Sequence, residues 1–206
     1  MKICLLGDTH TQHWNVKIPE TDILIFAGDA EFRSVFDVLD FNIWLGTLPQ
    51  KFIYCIAGNH DFYAQKRHDE ICKFLTNATY LENELVTLPN KMQMWGSPIT
   101  PQFLDWAFMS DRNTIHEYWN KIPKDIDILL THGPAYGILD IGIKKHGHLG
   151  CTELAKTLKR VKPKYHIFGH IHGSYGIKKI DDTTFINCSV LNEEYKLINK
   201  PIIITI

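Results

Sequence analysis

Five times this chain runs through a short apolar stretch, rich in β-branched residues, and stops at a glycine-containing polar cluster. KICLLGDTH, DILIFAGDA and KFIYCIAGNHD do so in the first half, DILLTHG and YHIFGHIHG in the second. Apolar runs without polar alternation suit strands buried on both faces. Segments with helical spacing lie between them. Ser34–Leu48 carries Val35, Leu39, Ile43 and Leu45, Lys66–Leu75 carries Ile71, Phe74 and Leu75, and Thr152–Val161 ends in basic residues that suit a helix C-terminus. Strands alternating with helices predict an α/β layered fold. The tail differs: Tyr175–Ile180, Thr183–Val190 and Pro201–Ile206 read as strands of a meander in a second sheet, with Asp181-Asp182 as a hairpin turn. Trp95–Pro101 (WGSPITP) reads as a loop, and no linker, repeat or low-complexity segment interrupts the chain.

Composition narrows the function classes. The 206 residues carry 22 Lys+Arg against 23 Asp+Glu, a net charge of -1 that argues against binding nucleic acid or a membrane by bulk attraction. No apolar stretch is long enough for a membrane span and the N-terminus has no secretory core, so the expected compartment is the cytoplasm. The cysteines (Cys4, Cys55, Cys72, Cys151 and Cys188) lack metal-knuckle or redox spacing and read as small buried hydrophobes. The outlying number is eleven histidines; histidine is the commonest metal ligand and acid/base group.

In open α/β sheets, ligands bind beyond the carboxyl ends of the strands. Each polar cluster follows a predicted strand, so Asp8, His10, Asp29, Asn59, His60, His132, His170 and His172 are expected at one edge. A carboxylate, amide and imidazole set without thiolates suits Mn, Fe, Zn or Ni. Asp8 and His10, like His170 and His172, are two apart and project to one side of an extended segment. Each pair could chelate one ion or split between two. Eight groups are too many for one ion and suit two ions sharing a carboxylate.

The blocks D-x-H (Asp8–His10), G-D (Gly28-Asp29), G-N-H-D (Gly58–Asp61), T-H (Thr131-His132) and G-H-x-H (Gly169–His172) occur in this order. The chain thereby resembles the calcineurin-like metallophosphoesterase superfamily. FNIWLGTLP, IAGNHD, WGSPITPQFLDWAF, THGPAYGILD, HLGC and FGHIHGSYG resemble its small, brain-type metallophosphoesterase-domain branch. The stretch after Asp29, Ala30–Ser34, lacks the Asp-Arg-Gly of the protein phosphatases, which argues against that activity.

The resemblance implies one domain over 1–206, a four-layer α-β-β-α sandwich in which two packed mixed sheets are flanked by helices. It implies two divalent metal ions, Mn²⁺ first among Mn, Fe, Zn and Ni. Asp8, His10 and His172 would hold one ion and Asn59, His132 and His170 the other, with Asp29 bridging. His60 would be the general acid. Phe32 stands where related enzymes place the acidic residue that orients it, leaving Asp61 or Glu31 for that task. Two ions about 3.5–4 Å apart would clamp an in-line displacement at phosphorus and activate a water as nucleophile. With Asp8, Asp29 and a hydroxide counted, the centre would keep about +1, attractive to a phosphate anion.

The implied activity is phosphodiester hydrolysis on a small phosphorylated, nucleotide-type substrate such as a cyclic nucleotide. A nuclease of the same superfamily is the alternative, disfavoured by the neutral charge; a non-catalytic protein-binding scaffold is another, disfavoured by the complete ligand set. Substrate-facing candidates are Phe103 and Trp106, which could stack a base, Arg112 with Asn113 for a phosphate oxygen, and His148 or His146 in KKHGHLGC. His13, His68, His116 and His166 read as surface or core histidines, Met92 and Met94 as packing, and Lys144-Lys145 and Lys159-Arg160 as solvated faces.

Overall fold

The computed structural model describes residues 1–142 and 147–206; His146 and Lys144-Lys145 lie outside them. The strands are β1 (Lys2–Leu6), β2 (Ile23–Phe26), β3 (Phe52–Cys55), β4 (Thr79–Tyr80), β5 (Glu84–Thr87), β6 (Gln93–Ser97), β7 (Thr100–Pro101), β8 (Met109–Ser110), β9 (Ile128–Thr131), β10 (Tyr165–Phe168), β11 (Gly176–Ile180), β12 (Thr183–Asn187) and β13 (Ile202–Thr205). The helices are α1 (Val35–Gly46), α2 (Phe62–Lys66), α3 (His68–Phe74), α4 (His116–Trp119) and α5 (Thr152–Val161). Of the two large sheets, one has the order β13-β1-β2-β3-β4 and the other β11-β12-β10-β9-β6-β5, and β7 pairs with β8 in a separate two-stranded sheet. Both are mixed: β1, β2, β3 and β4 run parallel, as do β6, β9, β10 and β12, while β13, β5 and β11 are antiparallel edges.

The inner parallel strands bury both faces, which is why their sequences do not alternate. Ile3, Leu5, Ile23 and Ile25 of one sheet share a cluster with Met94, Ile128, Leu130, Ile167 and Ile186 of the other, so these residues form the core between the sheets. The intervening Cys4, Leu6, Leu24 and Phe26 belong to the cluster that holds Val38, Phe41, Trp44 and Leu45 of α1, on the helix side. Leu129 and Phe168 join Leu154, Leu158 and Val161 of α5 in the same way. The layers are therefore helix, sheet, sheet, helix, as expected.

Local chemistry sets the helix ends. Ser34 is extended at the start of α1, and the Asp37 carboxylate accepts its backbone N–H at 2.7 Å and its hydroxyl at 2.9 Å. Lys159 and Arg160 close α5 where cations complement the helix dipole, and Lys162 turns the chain in the left-handed region.

Several expectations need correction. The core face of α1 is Val38, Phe41, Trp44 and Leu45, whereas Leu39 and Ile43 are exposed, Ile43 by 60%. The predicted helix over Lys66–Leu75 begins at His68, with the separate α2 just before it and Arg67 breaking the two. Trp95–Ser97 is strand, paired with Leu129–Thr131; Gly96 is accommodated inside β6 and Pro98 lies beyond its end. Asp181-Asp182 does turn β11 into β12, but β13 leaves that sheet and pairs with β1. Arg160 donates to the Ile122 and Trp119 carbonyls at 2.9 and 2.8 Å rather than facing only solvent. Cys72 is exposed; the other four cysteines are buried. Among the described residues no helix is long and apolar enough to cross a membrane.

Candidate active site

The parallel topology brings the carboxyl ends of β1, β2, β3, β9 and β10 to one edge of the two sheets, and the polar cluster after each strand begins there. The backbone bends sharply at these ends. Asp8, His10, Asp29, Glu31 and His170 all have positive φ although none is glycine, a strained arrangement that concentrates at functional sites. The preceding glycines permit close passage. A Cβ on Gly58 would overlap Asp29 Oδ1, and one on Gly169 would overlap Asp8 Oδ2.

Two groups of side chains bring ligand-type atoms within 4.8 Å of one another: Asp8, His10 and His172, and Asp29, His132 and His170. A third such group, His10, Glu31 and His60, adjoins them. Asp29 Oδ2 lies 3.5 Å from His10 Nε2 and 3.4 Å from His132 Nε2, between the first two groups. Asn59 Oδ1 is 2.8 Å from His132 Nε2, and His172 Nε2 is 3.7 Å from Asp8 Oδ1. All the sequence-predicted ligands thus meet, buried or nearly so.

Tautomers decide what this cluster can hold. A carbonyl oxygen only accepts, so His132 Nδ1 donates to Ala27 O at 2.8 Å and His172 Nδ1 donates to Asn192 O at 3.0 Å. His10 Nδ1 donates likewise to the Glu31 carboxylate at 3.1 Å. In its neutral form each ring turns a bare Nε2 lone pair toward carboxylate oxygens, and His10 Nε2 is buried with no hydrogen-bond partner. A proton on Nε2 relieves that clash in the protein without metal, as the raised proton affinities of His10, His132 and His172 reflect, and a divalent cation between the groups would relieve it equally. Outer hydrogen bonds that fix the ring this way are the usual support of a metal-ligating histidine. The donor set fits divalent ions of the Mn, Fe, Zn or Ni type.

The same frustration appears as perturbed proton affinities. Burial opposes a charge on His132, yet Asp29, Asp8 and the Ala27 carbonyl push its pKa up to about 9. Burial also opposes the Asp29 carboxylate, which His132, His10 and His60 nonetheless hold well below the usual range. The hydrogen bond from His10, with help from Arg33, holds Glu31 at about 2 despite its partial burial. Burial, reinforced by His132, depresses His170 to about 3.

His60 sits beside the ligand groups. Its backbone N–H donates to Asp29 Oδ1 at 2.8 Å, and its ring lies against Trp106 with centroids 4.1 Å apart. Burial first, and then repulsion by His10 and His132, lowers its pKa. Of the two candidates to orient it, Glu31 reaches it: Oε1 is 3.8 Å from His60 Nδ1. The Asp61 carboxylate instead accepts four backbone N–H groups, from Gly58, Asp29, Glu31 and Phe32, at 2.7–3.0 Å. It staples the Asp29 loop to the Asn59 loop.

Phe103, Trp106 and Arg112 line the cleft over the site, Phe103 with 66% exposure. Trp95 and Phe108 are core, and the Asn113 backbone N–H donates to Asp111 Oδ1 at 2.7 Å in an exposed turn. His148 departs from expectation. Its Nδ1 pairs with Asp140 at 2.7 Å and its ring packs against Tyr136, while its neighbour Leu149 faces the cleft. His13, His68 and His166 pair with Asp40, Glu82 and Thr131, and His116 with the Asn113 carbonyl.

Sequence reasoning missed the segment after β12. Ser189 Oγ donates to Asp8 Oδ2 at 2.6 Å, Asn192 orients His172, and the Tyr195 ring lies 4.8 Å from His10 and 5.3 Å from His172. Only the position of this segment at the carboxyl end of a strand could have flagged it.

Two packed mixed sheets with an Asp, Asn and His centre at the strand ends define the class of metal-dependent phosphoester hydrolases built on the α-β-β-α sandwich. The chain belongs to the calcineurin-like phosphoesterase family, whose description matches residues 1–174, and so is a hydrolase acting on phosphoester bonds. It is 38% identical to human metallophosphoesterase domain-containing protein 1 over 98% of its own length and 69% of that protein. It is 34% identical to the UPF0046 protein T07D4.2 of Caenorhabditis elegans over its whole length and 60% of that protein. Among solved structures, TT1561 of Thermus thermophilus superposes with a TM-score of 0.63 at 14% identity, over 90% of this chain and 88% of that one. The 5′-nucleotidase of Candida albicans gives 0.51 at 13% identity, over 90% of this chain and 44% of that one. These two establish likeness of fold.

Proposed function

We propose that the chain hydrolyses phosphodiesters of small nucleotide-type substrates, cyclic nucleotides among them, with the help of two divalent ions, Mn²⁺ first. The observation that carries this reading is the convergence of the imidazole Nε2 atoms of His10, His132 and His172 on the carboxylates of Asp8 and Asp29. Asp8, His10 and His172 would hold one ion and Asn59, His132 and His170 the other, with Asp29 shared. Bound there, the ions supply Lewis-acid stabilisation of charge at phosphorus and lower the pKa of water toward neutrality.

The protein's own groups do the rest. Glu31, Ala27 O and Asn192 O fix the ligand rings in one tautomer. Ser189 steadies Asp8. His60, held by its backbone bond to Asp29 and by Trp106, protonates the departing oxygen, and Glu31 is the carboxylate within reach of its other face. An anionic diester beside the ring favours its protonated form. Phe103 and Trp106 offer stacking surface and Arg112 a cation on the cleft wall. The free thiols suit a reducing compartment, and on this reading the chain works in the cytoplasm.

The test is a substrate panel with Mn²⁺-loaded protein: bis-p-nitrophenyl phosphate, 2′,3′- and 3′,5′-cyclic nucleotides, and single- and double-stranded DNA. The model diester and a cyclic nucleotide are cleaved and DNA is not. His60→Ala loses about 10²–10⁴-fold in kcat, the usual worth of a positioned acid. Cleavage of DNA alone would favour the nuclease alternative, and a metal-loaded protein inert to every substrate would favour the scaffold.

A further inference from the structure

The cleft has two chambers, and they differ in chemistry. The larger, about 530 Å³, contains Asp29, Asn59, His170 and His172 on its floor and Phe103 and Arg112 on its outer wall. The smaller, about 410 Å³, is bounded by Glu31, Arg33, His60, Phe62, Trp106 and Tyr195. His60, Trp106 and Tyr195 belong to both, so the chambers meet at the ring assigned as the acid.

A general acid must reach the oxygen that departs. Phosphorus lies over the ligand residues, in the larger chamber. The oxygen leaving it is at His60, and whatever that oxygen carries continues past His60. We infer that the smaller chamber is a leaving-group subsite, built for a flat aromatic substituent; this rests on the phosphodiesterase reading.

The walls fit that ligand. Phe62 and Trp106 present rings 6.1 Å apart and inclined by 36°, a surface on which a base or aryl ring stacks. At the rim the exposed Arg33 guanidinium pairs with the Glu31 carboxylate, so these two charges offset each other and the two rings supply the binding surface. The volume is in the range of small-ligand sites and accommodates a nucleoside-sized group. The chamber would thus hold the nucleoside-like or aryl group that the departing oxygen carries.

The reaction balances. The oxygen of water forms a new bond to phosphorus. The P–O bond to the departing substituent breaks with its electron pair on oxygen, and His60 delivers the proton that completes the alcohol. The proton lost by water returns to His60 through solvent, and the retained half leaves as a phosphomonoester.

Holoenzyme kinetics on aryl diesters separate the two sides. Methyl p-nitrophenyl and methyl 4-methylumbelliferyl phosphates vary the size of the leaving ring, while bis-p-nitrophenyl phosphate enlarges the retained group. Phe62→Leu keeps apolar bulk at this half-buried position and removes the ring. It raises KM for the umbelliferyl ester by about 5- to 10-fold relative to wild type, as loss of a stacking partner should. Its effects on the bis- and methyl p-nitrophenyl esters match each other. Phe103→Leu, at an exposed position on the other wall, shows the reverse pattern. Unchanged KM of Phe62→Leu for both methyl aryl esters, or effects that follow the retained group, overturn the subsite while leaving the phosphodiesterase reading intact. A wild-type holoenzyme inert to every diester overturns both.

Discussion

Asp29→Asn leaves the fold standing and lowers kcat/KM toward bis-p-nitrophenyl phosphate by at least about 10³-fold, the scale of losing a principal electrostatic element. Asp29 Oδ1 holds the His60 backbone N–H, and Oδ2 faces His10 and His132. An asparagine oxygen can still accept from the His60 N–H, so the loop keeps its place. What disappears is the negative charge at the one point that both ligand groups share. Asp29 is also the strongest of the groups that support a proton on His132 against burial. In the metal-free variant the His132 titration therefore moves down from about 9, which NMR-detected titration reads independently of turnover. Unchanged thermal unfolding with lost activity is the expected pair of results. Activity within tenfold of wild type would show that Asp29 is not shared.

Asp61→Ala acts on the fold first. Its carboxylate accepts four backbone N–H groups in a fully buried position. Each orphaned buried donor costs about 1–3 kcal/mol, and water entering the space left by the side chain recovers part of that. A net loss of about 4 kcal/mol follows, at the upper end for single substitutions. For a chain of this length that lowers the thermal midpoint by about 8–16 °C. Asparagine does not rescue it, because the amide nitrogen would confront N–H donors instead of accepting from them. Activity falls as well, since the donors include the backbone of Asp29. A midpoint within about 2 °C of wild type, by calorimetry, would contradict this role.

The strand ends were legible because physics marks them twice. A run buried on both faces has no polar alternation, and the glycine that ends it lets backbone pass against a ligand carboxylate, as Gly58 does at Asp29 and Gly169 at Asp8. The two-residue spacing was a weaker guide than expected: Asp8, His10 and His170 have positive φ instead of lying on an extended segment, and His170 and His172 divide between two groups. Periodicity failed on α1, where apolar residues occur nearly all round and the pattern cannot say which face is covered; Val38, Phe41 and Trp44 are, and Leu39 and Ile43 are not. Gly96 and Pro98 read as a loop because punctuation residues weigh equally at a strand's interior and just past its end. The destination of β13 depends on a pairing with β1, about the whole chain away, that no local signal encodes. Asp61 looked chemical because it adjoins His60, whereas its neighbours in space are backbone amides. Ser189, Asn192 and Tyr195 carry no motif and matter only through where β12 ends.

The most direct test of the dinuclear centre is a metal count joined to chelation. Purified protein reconstituted with Mn²⁺ holds two ions per chain by elemental analysis after gel filtration. A chelator abolishes its hydrolysis of bis-p-nitrophenyl phosphate, and added Mn²⁺ restores it. Fewer than one ion per chain after reconstitution, or hydrolysis that survives complete removal of metal, would contradict the account.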